Sequence, residues 1–123
     1  VLAVEPNRPM REAGAALLGD RPGFRAIDGA AEATGLPDGG VDLVAAGQAF
    51  HWFEPGAARA EFARVLRPPG WVALVWNERR AAGTPFLDAY EALLLEFGTD
   101  YAAVRHQDTG GDDAIAAFFA PQG

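Results

Sequence analysis

Apolar and polar residues are distributed along this chain in a way that separates strands from helices. Four short runs are predominantly apolar, with Arg25 and Asp42 as their charged residues, and they indicate strands that are buried in a sheet. They span residues 1–4, 24–27, 41–46 and 71–76, and glycine or proline lies within two residues of each run. The sequence therefore predicts four short buried strands.

Segments with helix signals separate or follow these strands. Proline near the start and glycine at the end predict a helix over residues 9–18, and the other helices are expected from Pro55, over residues 85–97 and over residues 112–120. Two of them have an apolar face: Ala58, Phe62, Val65 and Leu66 in the second, and Phe86, Tyr90, Leu93, Leu94 and Phe97 in the third.

The alternation of strands and helices predicts the fold class. It indicates an α/β domain with a doubly wound, mostly parallel sheet and helices on both faces. Residues 30–40 are predicted to be a loop. We expect a single partial domain over residues 1–123, with its core in residues 1–80 and a helical extension in residues 84–120.

Composition and charge exclude some kinds of functional site and disfavour some partners. The chain has no cysteine, which excludes a disulfide framework and a cysteine nucleophile, and nothing in it calls for a metal. No apolar stretch reaches about 18 residues, so no membrane partner is expected. Ten basic and seventeen acidic residues give a net charge of −7, which disfavours nucleic acid as a partner. A cytoplasmic location is the default expectation.

Polar or tight-turn residues follow all four predicted strands. They are Glu5, the pair Asp28-Gly29, Gln48 and the pair Asn77-Glu78. The carboxyl ends of parallel strands lie at one edge of a sheet, and ligands bind at that edge in open α/β folds. We therefore expect these residues to converge on a ligand.

The first two of these strand ends each have two interpretations. The carboxylate of Glu5 can accept hydrogen bonds from both hydroxyls of a ribose, or it is a solvated acid near a helix start. The segment from Asp28 to Glu32 either follows an adenine edge, with Gly29 allowing a close approach, or forms an ordinary turn.

The segment after the third strand, residues 48–53, contains an amide, an imidazole and three aromatic rings. Aromatic faces suit an apolar substrate or a cationic ligand. Aromatic side chains also pack in hydrophobic cores, and at least one of Phe50, Trp52 and Phe53 is expected to do so. His51 is either a general base or a structural residue held by hydrogen bonds.

Asn77 and Arg79 follow the last strand. A guanidinium suits bidentate contact with a carboxylate, so Arg79 and its neighbours are candidates for orienting a substrate. The alternative is a solvated helix entry in which Glu78 and Arg80 balance the charge.

Four pieces of sequence, in this order, carry a family resemblance. They are Ala-Val-Glu-Pro-Asn at residues 3–7 with Met10, Gly-Ala-Ala-Glu at 29–32 with Leu-Pro-Asp at 36–38, Val-Asp-Leu-Val at 41–44, and Arg-Val-Leu-Arg-Pro-Pro-Gly at 64–70. Together they resemble the class I S-adenosylmethionine-dependent methyltransferases of the type 11 group, over residues 1–80. Residues 48–53 resemble a branch of small-molecule methyltransferases that includes the trans-aconitate type.

The resemblance implies a Rossmann-like fold, S-adenosylmethionine as the cofactor, and methyl transfer to a small-molecule substrate. The cofactor-binding residues that it implies are Glu5 at the ribose, Gly29, Ala30 and Ala31 at the adenine, and Gln48 beside the methionine part. The other expected site residues are His51 as the catalytic residue and Trp52, Asn77 and Arg79 as substrate-binding residues.

Two departures from the family pattern matter. Ala30 stands where many relatives have Asp, so only backbone groups can contact the base there. The family's first strand with its glycine-rich loop, and its last two strands, lie outside the chain, which is therefore expected to be a fragment with an impaired cofactor site. The missing strand belongs between the strands at Val1 and Val41, whose edges are expected to face a gap or to pair, and to favour self-association.

Two other function classes stay open. A nicotinamide-dependent oxidoreductase also places an acid on a ribose. The chain has no lysine, however, and therefore no Tyr-x-x-x-Lys pair. The second alternative is a non-catalytic module that packs against a partner or against another copy of itself.

Overall fold

The computed structural model describes residues 1–77, 80–101 and 111–120. Within these ranges the strands are β1 (Leu2–Val4), β2 (Arg25–Ile27), β3 (Val41–Gly47) and β4 (Leu66–Val75). The helices are α1 (Arg8–Leu18), α2 (Pro55–Val65), α3 (Pro85–Phe97) and α4 (Gly111–Phe119), and a short 3-10 helix covers Phe50–Trp52. The predicted strands and helices are thus all present, in the predicted order.

One predicted boundary is wrong. Leu66 was expected on the apolar face of α2 and the Pro-Pro-Gly segment was expected as a break, but β4 begins at Leu66 and runs through that segment. The backbone of Leu66 is already extended, while its N–H still donates to the Phe62 carbonyl and ends the helix. The register jumps from Val41↔Leu66 to Leu43↔Trp71, so the prolines are accommodated in an irregular stretch of the ladder.

The strands form two parallel pairs. β1 pairs with β2 from Leu2↔Arg25 to Val4↔Ile27, and β3 pairs with β4. Within the described part of the chain, no ladder joins β1 to β3. A cavity of about 490 Å³ has Leu2 of β1 and Val41 of β3 in its walls, so β1 and β3 face a gap instead of pairing with each other.

The core of the first compact unit, Val1–Val75, lies between α2 and one face of the β3–β4 ladder. Its most buried apolar side chains come from β3, the 3-10 helix and α2: Ala46, Phe50, Ala58, Phe62 and Val65. The other ladder face is open, because Leu43 and its register partner Trp71 are 56% and 72% exposed. A parallel ladder with one apolar face in water is unusual, since such ladders are ordinarily covered on both sides.

Side chains at the N-terminal ends of α1 and α3 explain where these helices begin. Asn7 Oδ1 accepts a hydrogen bond from Met10 N at 3.1 Å, and Thr84 Oγ1 accepts from Leu87 N at 3.2 Å. A proline occupies the first turn of each helix, where its missing N–H costs nothing. These two caps thus fix the N-terminal ends of α1 and α3, close to where the prolines predict them.

The second compact unit, Trp76–Gly123, contains α3 and α4. The apolar face predicted for α3 is largely in water, with Phe86 73% and Phe97 71% exposed. The rings of Phe86 and Tyr90 are parallel, with centroids 6.0 Å apart. No helix in the described ranges is long and apolar enough to cross a bilayer.

Truncation of the buried Phe62 tests the position of the core. Phe62→Ala removes a ring that is 4% exposed, and we expect it to lower the free energy of unfolding by about 3–5 kcal/mol because a cavity remains. Phe97→Ala makes the same chemical change at an exposed site, where about 0.5 kcal/mol is expected. Urea denaturation of both variants measures the difference, and equal losses would contradict this core.

Candidate functional site

Glu5 is positioned by the β1–β2 pairing. Its N–H donates to the Ile27 carbonyl at 3.1 Å, which continues the ladder one residue beyond β1. Its side chain is half-buried, and Oε1 accepts a hydrogen bond from Asn7 N at 2.8 Å. The carboxylate is therefore oriented by the backbone that leads into α1, and it retains acceptor capacity for a ligand because each oxygen has two lone pairs.

Arg11 joins the ends of the first two strands, a role that the sequence analysis missed. Its NH1 donates to the carbonyl of Glu5 at 2.8 Å and to that of Pro6 at 3.3 Å. Its NH2 pairs with Asp28 Oδ2 at 3.0 Å, and only 17% of the Arg11 side chain is exposed. A basic residue one turn into the helix after Glu5 is the sequence signal that could have suggested this contact.

Residues 29–34 form a closed turn after β2. Ala30 and Ala33 exchange two backbone hydrogen bonds of 3.1 Å, N–H to carbonyl in both directions. A Cβ on Gly29 would lie 2.9 Å from the carbonyl oxygen of Thr34, so glycine is required where the turn closes. Ala31, at the tip with Glu32, is half-buried. We call residues 29–34 the β2 turn.

The buried carboxylate of Glu61 holds the β2 turn from α2. Its Oε1 accepts hydrogen bonds from the N–H and the hydroxyl of Thr34, at 2.8 and 2.6 Å. Arg64 donates to both oxygens of Glu61, through Nε at 2.8 Å and NH2 at 2.7 Å. Arg64 also pairs with Asp38 at 2.5 Å, which holds the loop that follows the turn.

These contacts set the charge of Glu61. The hydrogen bonds from Arg64 and then those from Thr34 lower its pKa from 4.5 to about 2, against the opposing effect of burial. The same pairing raises the pKa of Arg64. A buried carboxylate that would ordinarily be costly is therefore stable as the anion because both of its oxygens accept hydrogen bonds from Arg64 and one of them also accepts from Thr34.

Another acid connects the β2 turn with the segment after β3. Glu32 Oε1 accepts a hydrogen bond from Glu54 N at 2.7 Å. Glu54 is the cap of α2, since its carboxylate accepts from Gly56 N at 3.1 Å and from Ala57 N at 2.5 Å. The carboxyl ends of β2 and β3 are thus held at the same edge, as the parallel arrangement predicts.

Gln48 has an unusual backbone conformation at the end of β3. Its φ of +52° lies in the left-handed region, which costs a residue other than glycine about 1 kcal/mol. Its N–H donates to the Val75 carbonyl at 3.0 Å and extends the β3–β4 ladder. The chain turns sharply here, so that the next residues leave the sheet.

The aromatic segment after Gln48 divides into a buried and an exposed part. Phe50 is buried and Phe53 half-buried, with edge-to-face contacts to each other and from Phe53 to Phe62 at centroid distances of 5.9 and 6.0 Å. The expectation that at least one aromatic residue belongs to the core is thus confirmed. His51 and Trp52 lie outside, with ring centroids 4.6 Å apart, and Trp52 is 80% exposed.

Two predicted substrate-binding residues remain, Asn77 and Arg79. Asn77 is exposed in the second compact unit, whereas the residues described above lie in the first. Arg79, together with Glu78, lies outside the described residues. Within the described ranges, no group of three or more metal-ligating side chains is present.

Sequence comparison decides the family. The family described as "Methyltransferase domain" matches residues 1–74, which include every contact of the β2 turn. The chain belongs to this methyltransferase family. It is of the type 11 group of class I enzymes, which confirms the resemblance of the four sequence pieces.

Curated relatives of this methyltransferase domain are found in bacteria and in yeast. An uncharacterised methyltransferase of Mycobacterium tuberculosis is 46% identical over 79 residues, which are 64% of this chain and 31% of the relative. An uncharacterised methyltransferase of Schizosaccharomyces pombe is 55% identical over 51 residues, which are 42% of this chain and 20% of the relative. The matched segments thus cover about a third or less of the length of these relatives.

Solved structures confirm the Rossmann-like methyltransferase fold. A candidate type II methyltransferase from Anaeromyxobacter dehalogenans is 29% identical, with a TM-score of 0.64, and the match covers 98% of this chain and 49% of that one. A candidate S-adenosyl-L-methionine-dependent methyltransferase from Methanococcus maripaludis has a TM-score of 0.65 at 16% identity, over 94% of this chain and 53% of that one.

The depressed pKa of Glu61 predicts an acid-sensitive contribution to stability. Because the folded state favours the anion, this contribution is complete above the ordinary pKa of 4.5 and is lost as the pH falls towards about 2. Glu61→Gln removes it, and we expect a loss of about 2 kcal/mol at pH 7, which shrinks below pH 4.5.

Thermal melting of both proteins between pH 7 and pH 2 measures this effect. The curve of Glu61→Gln is expected to approach that of the wild type in acid. Glu12→Gln serves as the control because it removes an exposed carboxylate that pairs only with Arg8 on α1. Two parallel melting curves for wild type and Glu61→Gln would show that Glu61 does not titrate as described.

Proposed function

We propose that this chain forms part of an enzyme that transfers a methyl group from S-adenosylmethionine to a small molecule. Its family membership supports the reaction, and the half-buried carboxylate of Glu5 at the end of β1 carries the assignment of the cofactor. An acid in this position suits the two hydroxyls of a ribose because it offers two acceptor oxygens at hydrogen-bonding separation.

The residues around Glu5 fit the rest of a nucleoside. Arg11 connects the backbone of Glu5 with Asp28, so the acid and the start of the β2 turn are held together. The N–H and carbonyl of Ala30 bond to Ala33, which leaves the tip of the turn, at Ala31, as the backbone that would meet the adenine edge. Gly29 allows this turn to close against Thr34.

The segment after β3 contains the candidate residues for contact with the methyl-bearing part of the cofactor and with the acceptor. Gln48 would lie beside the methionine part, and Trp52 offers an exposed aromatic face of the kind that suits a sulfonium or an apolar acceptor. His51 would serve as a general base if the acceptor must lose a proton. Asn77 and Arg79 remain candidates for the acceptor.

Bound S-adenosylmethionine would supply an electrophilic methyl group on a positively charged sulfur. The protein's part is to bind the nucleoside, orient the acceptor and exclude water, since methyl transfer depends chiefly on proximity and alignment. The net charge of −7 makes a small molecule a more suitable acceptor than nucleic acid. The family assignment also favours this use of Glu5 over a nicotinamide-dependent reaction.

A non-catalytic role in association has one observation in its favour. The face of the β3–β4 ladder that carries Leu43, Trp71 and Val75 is apolar and exposed. Such a surface favours contact with another copy of the chain or with a partner. A cofactor-binding measurement distinguishes the two roles.

Calorimetric titration with S-adenosylhomocysteine tests the proposal. We expect binding to the wild type, and about tenfold weaker binding to Glu5→Gln, because a neutral amide keeps the shape but loses charge and one acceptor. Tenfold corresponds to about 1.4 kcal/mol.

Glu12→Gln is the matched control for this titration, since it makes the same change at an exposed acid on α1. It is expected to bind like the wild type. No heat from a folded wild-type sample would contradict cofactor binding by this chain and favour association. Equal affinity of Glu5→Gln and wild type would refute the role of Glu5.

A further inference from the structure

The buried Glu61 lies outside the residues to which the proposed function assigns a role, yet it contacts the β2 turn directly. We propose that Glu61 is a positioning residue: through Thr34 it sets the shape of the turn that meets the adenine base, and thereby the preference for adenine. This inference rests on the proposed function for its ligand. The effect on the turn itself is measurable without any ligand.

The β2 turn depends on an anchor at its closing end. Ala30 and Ala33 provide only two hydrogen bonds, and Gly29 packs against the backbone of Thr34 because it has no side chain. A turn of this size has little apolar burial of its own to hold one shape. Its conformation therefore depends on contacts from outside: Glu32 at the tip, which accepts from Glu54 N, and the bonds that fix the backbone at Thr34.

Glu61 fixes that backbone with a charged acceptor. Thr34 N–H donates at 2.8 Å and Thr34 Oγ1 donates at 2.6 Å, so the hydroxyl is left to accept from Leu36 N at 3.2 Å. Amide and hydroxyl bonds to an ionised carboxylate are stronger than bonds to a neutral group. Thr34 is 6% exposed, so water does not readily replace these bonds.

Arg64 makes this anchor rigid and not merely strong. It binds Glu61 through two nitrogen atoms and Asp38 through a third, while its carbonyl accepts from Gly39 N at 2.9 Å. The carboxylate of Glu61 is therefore held in place by Arg64, a residue of the same helix, and it resists a movement of the turn. Through this contact α2 determines which shape of the turn is preferred.

Amide hydrogen exchange on the ligand-free protein is the first test. In Glu61→Gln we expect exchange at the amides of Ala30 and Ala33 to accelerate about tenfold more than exchange in the middle of α2, which follows only the lower free energy of unfolding. Glu12→Gln is expected to change neither. Equal acceleration at the turn and in α2 would overturn the proposal, since Glu61 would then be only a stabilising residue of the fold.

Base preference is the second readout. A backbone N–H at the tip of the turn can donate a hydrogen bond to N1 of adenine, which is an acceptor. N1 of hypoxanthine carries a hydrogen and cannot accept that bond. We therefore compare the affinities for S-adenosylhomocysteine and S-inosylhomocysteine. Glu61→Gln is expected to reduce the wild-type preference for adenine about fivefold or more, whereas Glu5→Gln weakens both ligands and leaves their ratio unchanged.

Substitutions of Thr34 separate positioning from a loss of folding. Thr34→Val keeps the volume but removes the hydroxyl, and it is expected to reduce the preference; Thr34→Ser restores the hydroxyl and is expected to recover it. An unchanged ratio in Glu61→Gln and Thr34→Val would overturn the proposal. If the wild type binds neither ligand, the proposed function fails for this chain, while the exchange data still decide the role of Glu61.

Discussion

Parallel pairing is the constraint on which the arrangement of this molecule depends. A strand that pairs in parallel with the next must be followed by a crossover, so every strand ends at the same edge of its ladder. In this chain the crossovers of the two ladders begin with Glu5 and with Gln48, and the connection between the ladders begins with the β2 turn. The contacts from Arg11 to Asp28 and from Glu32 to Glu54 N hold these three beginnings together.

α1 and the β2 turn are held to the rest of the fold through charged groups more than through apolar burial. α1 has no fully buried residue, and the β2 turn has none except Thr34. The arginines Arg11 and Arg64 each bind backbone or acid groups from separate segments. Such pairs are weak in open water, but they are effective here because Arg11 and Glu61 are mostly shielded.

Local patterns were enough to predict the elements and the candidate residues that follow two of the strands. Glu5 and Gln48 follow apolar runs, and the proline that opens α2 is visible in the sequence. The contact between Thr34 and Glu61 was not predictable in this way, because it joins a loop to a helix across 27 positions and leaves no periodic trace. The start of β4 was missed for a related reason, since its pairing with β3 overrides the local signal of two prolines.

The open face of the β3–β4 ladder has a consequence for how the protein behaves in solution. Leu43 and Trp71 expose apolar area, and the net charge of −7 makes two chains repel one another and opposes contact between these faces. Added salt shortens the range of that repulsion, to about 8 Å at physiological ionic strength. Sulfate and other strongly hydrated salts strengthen apolar contact at the same time, so the solubility of this chain will fall with ionic strength.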